Sequence, residues 1–211
     1  MNIFISAIGT DSGKSVVSAI FTEALNADYW KPIQAGFPTD TETVHQLLPT
    51  PKEKLKEAYL LKYPMSPHAS ARKEGIHVKL DAIQLPQHTK ENLVIEGAGG
   101  LMVPLNDEDC VIDIAEKLDL PLVLVSNTYL GSINHSLLSI REIKRRGLNL
   151  LGIVFNGERN EDTERIILKH AQVPCLFKVP QLEEVSPAVI TNLANQLNQT
   201  LSQHLNVSIH E

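Results

Sequence analysis

The sequence predicts an α/β fold, a mostly parallel central sheet with helices on both faces. Three observations predict it. Short apolar runs alternate with helical patterns along the chain, most runs are followed by a turn signal, and runs such as "PLVLVS" and "LLGIVFN" are continuous and β-branched. Continuous apolar strands are the ones buried on both faces, as strands joined by crossover helices must be.

Taken in order, strands are expected at Asn2–Ala7, Asp28–Lys31, Leu93–Glu96, Leu122–Ser126, Leu150–Phe155 and Cys175–Val179. A helix should start near Lys14, with Val16, Val17, Ile20 and Ala24 on its inner face. Another should follow Gly131 and run through Leu137, Leu138 and Ile140 to "REIKRRG", where Lys and Arg complement the helix dipole and Gly147 ends the helix. That charge run reads as a solvated helix end. In Ser186–Leu205, Ser186 can cap and Pro187 fits the first helical position, while Ile190, Leu193, Leu197 and Leu201 form one stripe for the sheet. Between about Thr50 and Thr89 the pattern weakens, and "YPMSPHASARKEGI" reads as loop and short helix around a site.

With 211 residues, 43% of them apolar, one sizeable core is expected, in a single domain spanning 1–211. The formal charge of −6 argues against nucleic-acid or anionic-membrane partners, which need surplus Lys and Arg, and leaves a small ligand as the expected partner. No apolar run approaches the roughly 18 residues of a membrane span, and "MNIFISAIGT" reads as a first strand, not an export signal. Cys110 and Cys175 lack C-x-x-C spacing and suit two structural thiols in a reducing cytoplasm.

The chemistry begins at "SAIGTDSGKSVVSAI", Ser6–Ile20, which ends in the Gly-Lys-Ser of a phosphate-binding loop but has Ile8 where G-x-x-x-x-G-K-[ST] wants its first glycine. Such a loop works because backbone N–H groups left open by small residues converge on phosphate oxygens where a helix begins. The tripeptide alone is also a glycine turn before a surface lysine; its place between a first strand and a helix favours a P-loop fold. Asp11, Ser12, Gly13 and Val16 then belong to the cradle, Lys14 reaches the outer phosphates and the Ser15 hydroxyl binds Mg²⁺.

Two further segments deliver charge to the same sheet edge. "LVIEGAGG", Leu93–Gly100, ends an apolar strand in Glu96 and a glycine cluster (Gly97, Ala98, Gly99) at the carboxyl edge, where open α/β sheets collect ligands. Glu96 can hold Mg²⁺ directly or through water, or else serve a salt bridge or cap. "YWKPIQAG", Tyr29–Gly36, ends a strand in Lys31, which either adds a second positive charge for a reacting anion or is solvated.

"PTDTETVHQL", "YPMSPHASA", "IEGAGGLMVPL", "LGSINHSLLS", "GIVFNG" and "KVPQL" follow in that order. Together with the loop and "YWKPIQAG" they resemble the dethiobiotin synthetase family, ATP-dependent enzymes that close the ureido ring on the route to biotin. The resemblance spans nearly the whole chain. The family's loop, G-T-D-T-x-V-G-K-T, is one residue longer than the common motif, so its first glycine falls on Ala7, not on Ile8. Alanine there is tolerable if its φ is negative and costly if positive. A second departure is Ala35, where some members have a serine that touches substrate.

The resemblance implies Lys31 as the active-site lysine and Asp40 as a further metal carboxylate beside Ser15 and Glu96, although Asp40 in "PTDTET" is also suited to cap a helix. It implies Ser66 beside the substrate, with His68 a loop imidazole of no assigned role. It also implies Asn156 and Gly157, with Pro180, Gln181 and Leu182, around the adenine. Gly131, Ser132, Ile133 and Asn134 would receive the substrate carboxylate at a helix amino terminus on a homodimer interface. The implied substrates are 7,8-diaminononanoate, CO₂ and ATP, with Mg²⁺. No protein nucleophile is needed, because phosphoryl transfer rests on positioning and charge and ring closure is intramolecular.

Other readings start from the same loop. Partition-type and metallochaperone switch ATPases usually carry an extra lysine near the loop start, where this chain has Ala7-Ile8-Gly9. A GTPase would want N-K-x-D, which "FNGER" does not supply. The amidoligase of cobalamin synthesis normally adds a glutaminase domain, for which 211 residues leave no room. A pure binding module would not need the metal-ready Ser15 and Glu96.

Overall fold

The structure is a computed structural model that describes residues 1–207, with side-chain surroundings through Leu201. Six strands, β1 (Asn2–Ala7), β2 (Asp28–Trp30), β5 (Leu93–Gly100), β6 (Leu122–Asn127), β7 (Leu150–Asn156) and β8 (Cys175–Val179), form one sheet in the order β2-β5-β1-β6-β7-β8. Every pairing in it is parallel. The expected strands are all present, four of them extended or cut by one to four residues. β3 (Ile33–Ala35) and β4 (Tyr59–Leu61) add a small parallel pair that sequence patterning does not reveal.

Along β1, Ile3, Ile5 and Ala7 belong to one core and Phe4 to the other, so the consecutive apolar residues Ile3–Ile5 serve both faces. Beneath one face lie α1 (Lys14–Ala24), α2 (Asp40–Leu47) and α7 (Pro187–Val207), through Val17, Ile20, Phe21, Val44, Ile190, Leu193 and Leu197. Beneath the other lie α4 (Val111–Lys117), α5 (Ser132–Arg145) and α6 (Glu161–Ala171), through Ile112, Ile114, Ile140, Ile143 and Ile167. Each fully buried Ile or Leu contributes about 1.5–3 kcal/mol. The weakly patterned stretch holds β4, α3 (Pro67–Glu74) and a short 3₁₀ turn at Leu80–Ala82.

The buried face of α5 needs specifying and its basic end needs correction. The buried face of α5 is Ser132, Ser136, Ile140 and Ile143, while Leu138 points into solvent, 57% exposed. The basic end of α5 is not simply solvated: Arg146, 16% exposed, pairs with Glu142 and reaches Asp113 and Glu116, tying α5 to α4. Hydrogen bonds from Arg145 and Arg146 hold the Glu142 carboxyl down at about 2. At the other end of the sheet order, α7 starts as expected, with the Ile190 N–H bonded to Ser186 O. Cys110 and Cys175 are free thiols, and among the described residues no helix is long and apolar enough to cross a membrane.

This topology places β1 at the centre, between β5 and β6. The chain leaves β1 for β2 on one side and later returns to β6 on the other, so the loop after β1 sits at the switch point where such sheets bind ligands.

Candidate active site

Ile8–Gly13 connect β1 to α1, and their backbone is shaped for a compact loop. Asp11 (φ 57°) and Gly13 (φ 86°) adopt the left-handed conformation. A Cβ on Gly13 would stand 2.2 Å from Asn156 Nδ2, so only glycine fits. Ser12 Oγ donates to Gly9 O (3.1 Å) and Lys14 Nζ donates to the same carbonyl (3.3 Å), folding the loop over the start of α1. Ala7 is the last residue of β1, paired with Val125 and Gly100 in extended backbone, and it is absent from the left-handed residues. The replacement of a glycine by alanine there therefore costs no backbone strain. Ile8 donates its N–H to Val125 O (3.1 Å) and packs its side chain on the α4–α6 core, outside the part of the loop that turns toward Lys14.

Four charged or hydroxyl groups meet beside this loop. Ser15 Oγ lies 3.2 Å from both Asp40 Oδ1 and Glu96 Oε1. Lys31 Nζ lies 2.7 Å from Asp40 Oδ2 and 3.0 Å from Glu96 Oε1, and donates to Gly97 O at 2.9 Å. Lys31 and Glu96 are almost fully buried, which rules out the solvated-lysine reading. Burial alone would lower the Lys31 ammonium, but the Glu96 and Asp40 carboxylates outweigh it and raise Lys31 above its usual value. Burial likewise acts to raise Asp40, and Lys31 with Ser15 more than reverses it, leaving Asp40 below the ordinary carboxylate range. Lys14 is lowered by burial and by the Lys31 charge, only partly offset by the carboxylates. An incoming polyanion would remove that deficit of negative charge around Lys14.

Asp40 does not cap its helix. Thr39 is the N-cap of α2: its hydroxyl accepts from the Glu42 N–H while Glu42 reaches back to the Thr39 N–H, a full capping box. Asp40, one residue later, is free to face Lys31 and Ser15. Gln34 from β3 fixes the turn between them, accepting from the Asp40 N–H (3.0 Å) and donating to Gly36 O (3.0 Å).

These groups line a cleft of about 760 Å³, within the range of small-ligand sites. Asp11, Gly13, Lys14, Ser15 and Val16 form one wall and Glu96, Ala98 and Gly99 the floor, with Lys31, Ala35, Asp40 and Ser66 toward the other end. The donor set of one hydroxyl and two carboxylates fits Mg²⁺, which takes hard oxygen ligands and completes its shell with phosphate and water. No group of three or more His, Cys, Asp or Glu that could hold a metal occurs among the described residues. Metal held here therefore leans on ligand oxygens.

Other expected residues lie around this cleft, not in it. Asn156 ends β7 and donates through Nδ2 to Ser12 O (3.0 Å), so it touches the loop from behind Gly13. Gly157 follows at φ 102°, its N–H bonded to Val179 O, and a Cβ there would sit 3.5 Å from Gln181 Oε1. Asn156, Gly157 and the Pro180–Leu182 segment thus gather on the β7–β8 side of the loop. Gly131–Asn134 do not line the 760 Å³ cleft. They start α5 on the far side of the loop, next to a shallower groove of about 360 Å³ lined by Ile8, Gly9, Met102, His135, Leu138 and Glu142. Gly131 (φ 106°) opens the helix, and the buried Ser132 hydroxyl has no partner.

Comparison with known proteins follows the same lines. The family model described as "AAA domain" matches residues 1–189. The ATP-dependent dethiobiotin synthetase of Cytophaga hutchinsonii is 54% identical over 196 residues, 92% of this chain and 95% of that protein. The chain belongs to the dethiobiotin synthetase family. Members from Christiangramia forsetii (44% identical, 95% of this chain and 97% of that one) and Afipia carboxidovorans (46%, 89% and 91%) span it equally. Among solved structures, a ParA-family ATPase from Chlorobium tepidum (TM-score 0.56, 15% identity, 94% of each chain) has the same fold. So does the septum site-determining protein MinD from Pyrococcus horikoshii (TM-score 0.55, 13% identity, 94% of this chain and 97% of that one). At that identity the likeness is one of fold alone, a P-loop α/β sheet.

Two site-forming residues escape the sequence reading of this family member. Gln34 is one. Tyr29 is the other: completely buried in β2, it donates its hydroxyl to Glu96 Oε2 at 3.0 Å. Burial and the adjacent Glu96 carboxylate push the Tyr29 phenol well above its usual value, so it stays a donor. Both fall inside "YWKPIQAG", but nothing in that segment marks either as a partner of Glu96 or Asp40, and only the capping pair Thr39-x-x-Glu42 carried a readable signal that Asp40 was free.

Proposed function

We propose that this chain, one domain working in the cytoplasm, is an ATP-dependent ligase that carboxylates 7,8-diaminononanoate with CO₂ and closes the ring to dethiobiotin, giving ADP and phosphate. The observation that carries the reading is Lys31, a buried ammonium from outside the loop that meets Ser15, Asp40 and Glu96 in a cleft with room for a second ligand beside a triphosphate.

One substrate amine attacks CO₂ and loses a proton, giving a carbamate. A carbamate oxygen then attacks the γ-phosphorus, and ADP leaves with the electrons of the broken P–O bond. The product is a mixed carbamic-phosphoric anhydride. The second amine attacks its carbonyl carbon and loses a proton, and the C–O bond to phosphate breaks, its electrons leaving with phosphate, as the five-membered ring closes. Carbamate and triphosphate repel each other unless positive charge lies between them. Lys14 would hold the outer phosphates and Lys31 the carbamate and the γ-phosphoryl oxygens, with Asp11, Ser12, Gly13 and Val16 supplying loop backbone. Ser15, Asp40 and Glu96 would hold Mg²⁺, which when bound neutralises charge on the β- and γ-phosphates. Ala98 and Gly99 would lie along the phosphates, while Gly97 would serve through its carbonyl, which accepts from Lys31. Asn156, Gly157, Pro180, Gln181 and Leu182 would bind the adenine, and Ala35 and Ser66 would flank the diamine.

The substrate carboxylate would be received by Gly131, Ser132, Ile133 and Asn134 of a second copy. Two observations support a homodimer. Those residues lie outside the cleft of their own chain, and the same turn and helix expose Tyr129, Leu130, Ile133 and Leu138, with Met102 beside them. A soluble monomer has little reason to expose so many large apolar side chains in one region.

The test is ADP release from Mg-ATP and bicarbonate, with and without 7,8-diaminononanoate, with mass detection of dethiobiotin. Diamine-dependent ADP matched by ring product is expected. ATP turnover indifferent to the diamine would replace the ligase reading with a switch ATPase of the same fold.

A further inference from the structure

A carboxylate that binds a metal must present one oxygen at a fixed angle, and a Glu side chain has three torsions with which to miss. Glu96 is inside the sheet and 1% exposed, so water cannot hold it in place. Its Oε1 carries the functional contacts: Ser15 Oγ at 3.2 Å and Lys31 Nζ at 3.0 Å. Among the described residues, its Oε2 has a single hydrogen-bond partner, the Tyr29 hydroxyl at 3.0 Å. Tyr29 is itself immobile. Its backbone pairs with Val94 of β5, its ring is completely buried, and His45 of α2 meets that ring edge-on at 6.1 Å between centroids. The phenol therefore reaches Glu96 from the neighbouring strand, and Tyr29 does not line the cleft.

We infer that Tyr29 is a positioning residue for the metal-binding carboxylate: by holding Oε2 it sets the Glu96 rotamer that turns Oε1 toward Ser15 and the phosphates. The inference rests on the proposed role of Glu96 as a metal ligand. Without the hydroxyl, Oε2 loses its hydrogen bond in a site closed to water, and the carboxylate can rotate to share Lys31 through both oxygens. Outer partners of metal ligands commonly affect metal affinity by 10–100-fold, and a single hydrogen bond from an uncharged donor belongs at the lower end, about 10-fold. Nucleotide binding without metal depends on the loop and the β7–β8 side, so it should be untouched.

The experiment compares Mn²⁺ binding, read by electron paramagnetic resonance of the full chain with ADP, in the unaltered protein, Tyr29→Phe and Glu96→Gln, together with thermal melts and metal-free ADP affinity. Tyr29→Phe is expected to weaken Mn²⁺ binding about 10-fold and to alter the Mn²⁺ line shape, with metal-free ADP affinity unchanged. If Tyr29→Phe binds Mn²⁺ as the unaltered protein does while Glu96→Gln has lost it, Tyr29 only fills the core and the inference is overturned. If Glu96→Gln also retains Mn²⁺, the metal role of Glu96 itself has failed. Should Tyr29→Phe not fold, Tyr29→Met, flexible enough to fill the same space without a hydroxyl, is held to the same outcomes.

Discussion

Replacing Lys31 by methionine keeps the chain's bulk and removes its charge, which isolates what the ammonium does. In the unaltered protein it stands 2.7 Å from Asp40 and 3.0 Å from Glu96. Removing one partner of a buried ion pair costs about 3–5 kcal/mol, because the other charge stays behind uncompensated. Glu96 is fully enclosed but the Asp40 side chain is 35% exposed, which puts the loss near the low end, about 3 kcal/mol. For a chain of this size that is a fall in melting temperature of about 6–12 °C. Millimolar Mg²⁺ should restore part of it in Lys31→Met, since a divalent cation can take over the charge between the two carboxylates, and should do so more than in the unaltered protein. Turnover should not return with it. Loss of one preorganised charge at the transferring phosphoryl group costs about 10²–10³ in kcat.

The pH dependence of the stability difference follows from the two shifts. Asp40 is depressed when folded, so its contribution is present above the unfolded value of about 3.9 and fades as pH falls through the lower folded value. Lys31 is raised, so its contribution is complete below the unfolded value of about 10.4 and fades as pH rises through the higher folded one. The gap between the two proteins should be level from about pH 5 to 9 and narrow on both sides. Denaturant titrations across pH with parallel kcat measurements check this. Unchanged melting, no extra Mg²⁺ response and less than about a 10-fold fall in kcat would contradict the charge role of Lys31.

Gly13→Ala should lose measurable ATP binding by titration calorimetry and destabilise the fold by about 1–2 kcal/mol, because the new methyl group meets Asn156 and the backbone keeps a left-handed φ; normal ATP affinity would contradict the loop geometry. Ala7→Gly, which installs the glycine of related loops, should leave kcat unchanged and lower stability by about 0.5–1 kcal/mol, since Ala7 is extended strand; a faster enzyme would mean that the alanine is a handicap. Leu138→Asp should sediment as a monomer and lose turnover at low diamine concentration, whereas a stable, fully active dimer would move the interface elsewhere.

How far the sequence carried the fold depended on the range of the interaction involved. The six strands of the main sheet were legible because their apolar character is continuous within each short segment, as in "PLVLVS". β3 and β4 were not, since each is three residues long, polar Gln34 interrupts the first, and Ile33 pairs with Tyr59 across most of a loop. In the site, Lys14, Ser15, Glu96 and Lys31 could be named because Lys14 and Ser15 open a recognisable helix and Glu96 and Lys31 close expected strands at the same sheet edge. The partnership of Tyr29 with Glu96 could not, because it joins residues 67 apart and leaves no mark in either segment. The odds between cap and ligand at Asp40 turned on which of two adjacent polar residues takes the cap, and Glu42 decides for Thr39. The Arg146 network was hidden for the same reason as Tyr29: two of its three acidic partners come from another helix.

In the proposed reaction, carbamate and γ-phosphate react directly with each other between Lys14 and Lys31. The most direct measurement is mass analysis of the inorganic phosphate formed from ¹⁸O-labelled bicarbonate, Mg-ATP and 7,8-diaminononanoate in a short time course. Attack by the carbamate oxygen on phosphorus, followed by C–O cleavage on ring closure, predicts one labelled oxygen in each phosphate released with dethiobiotin. Unlabelled phosphate accompanying dethiobiotin would contradict it.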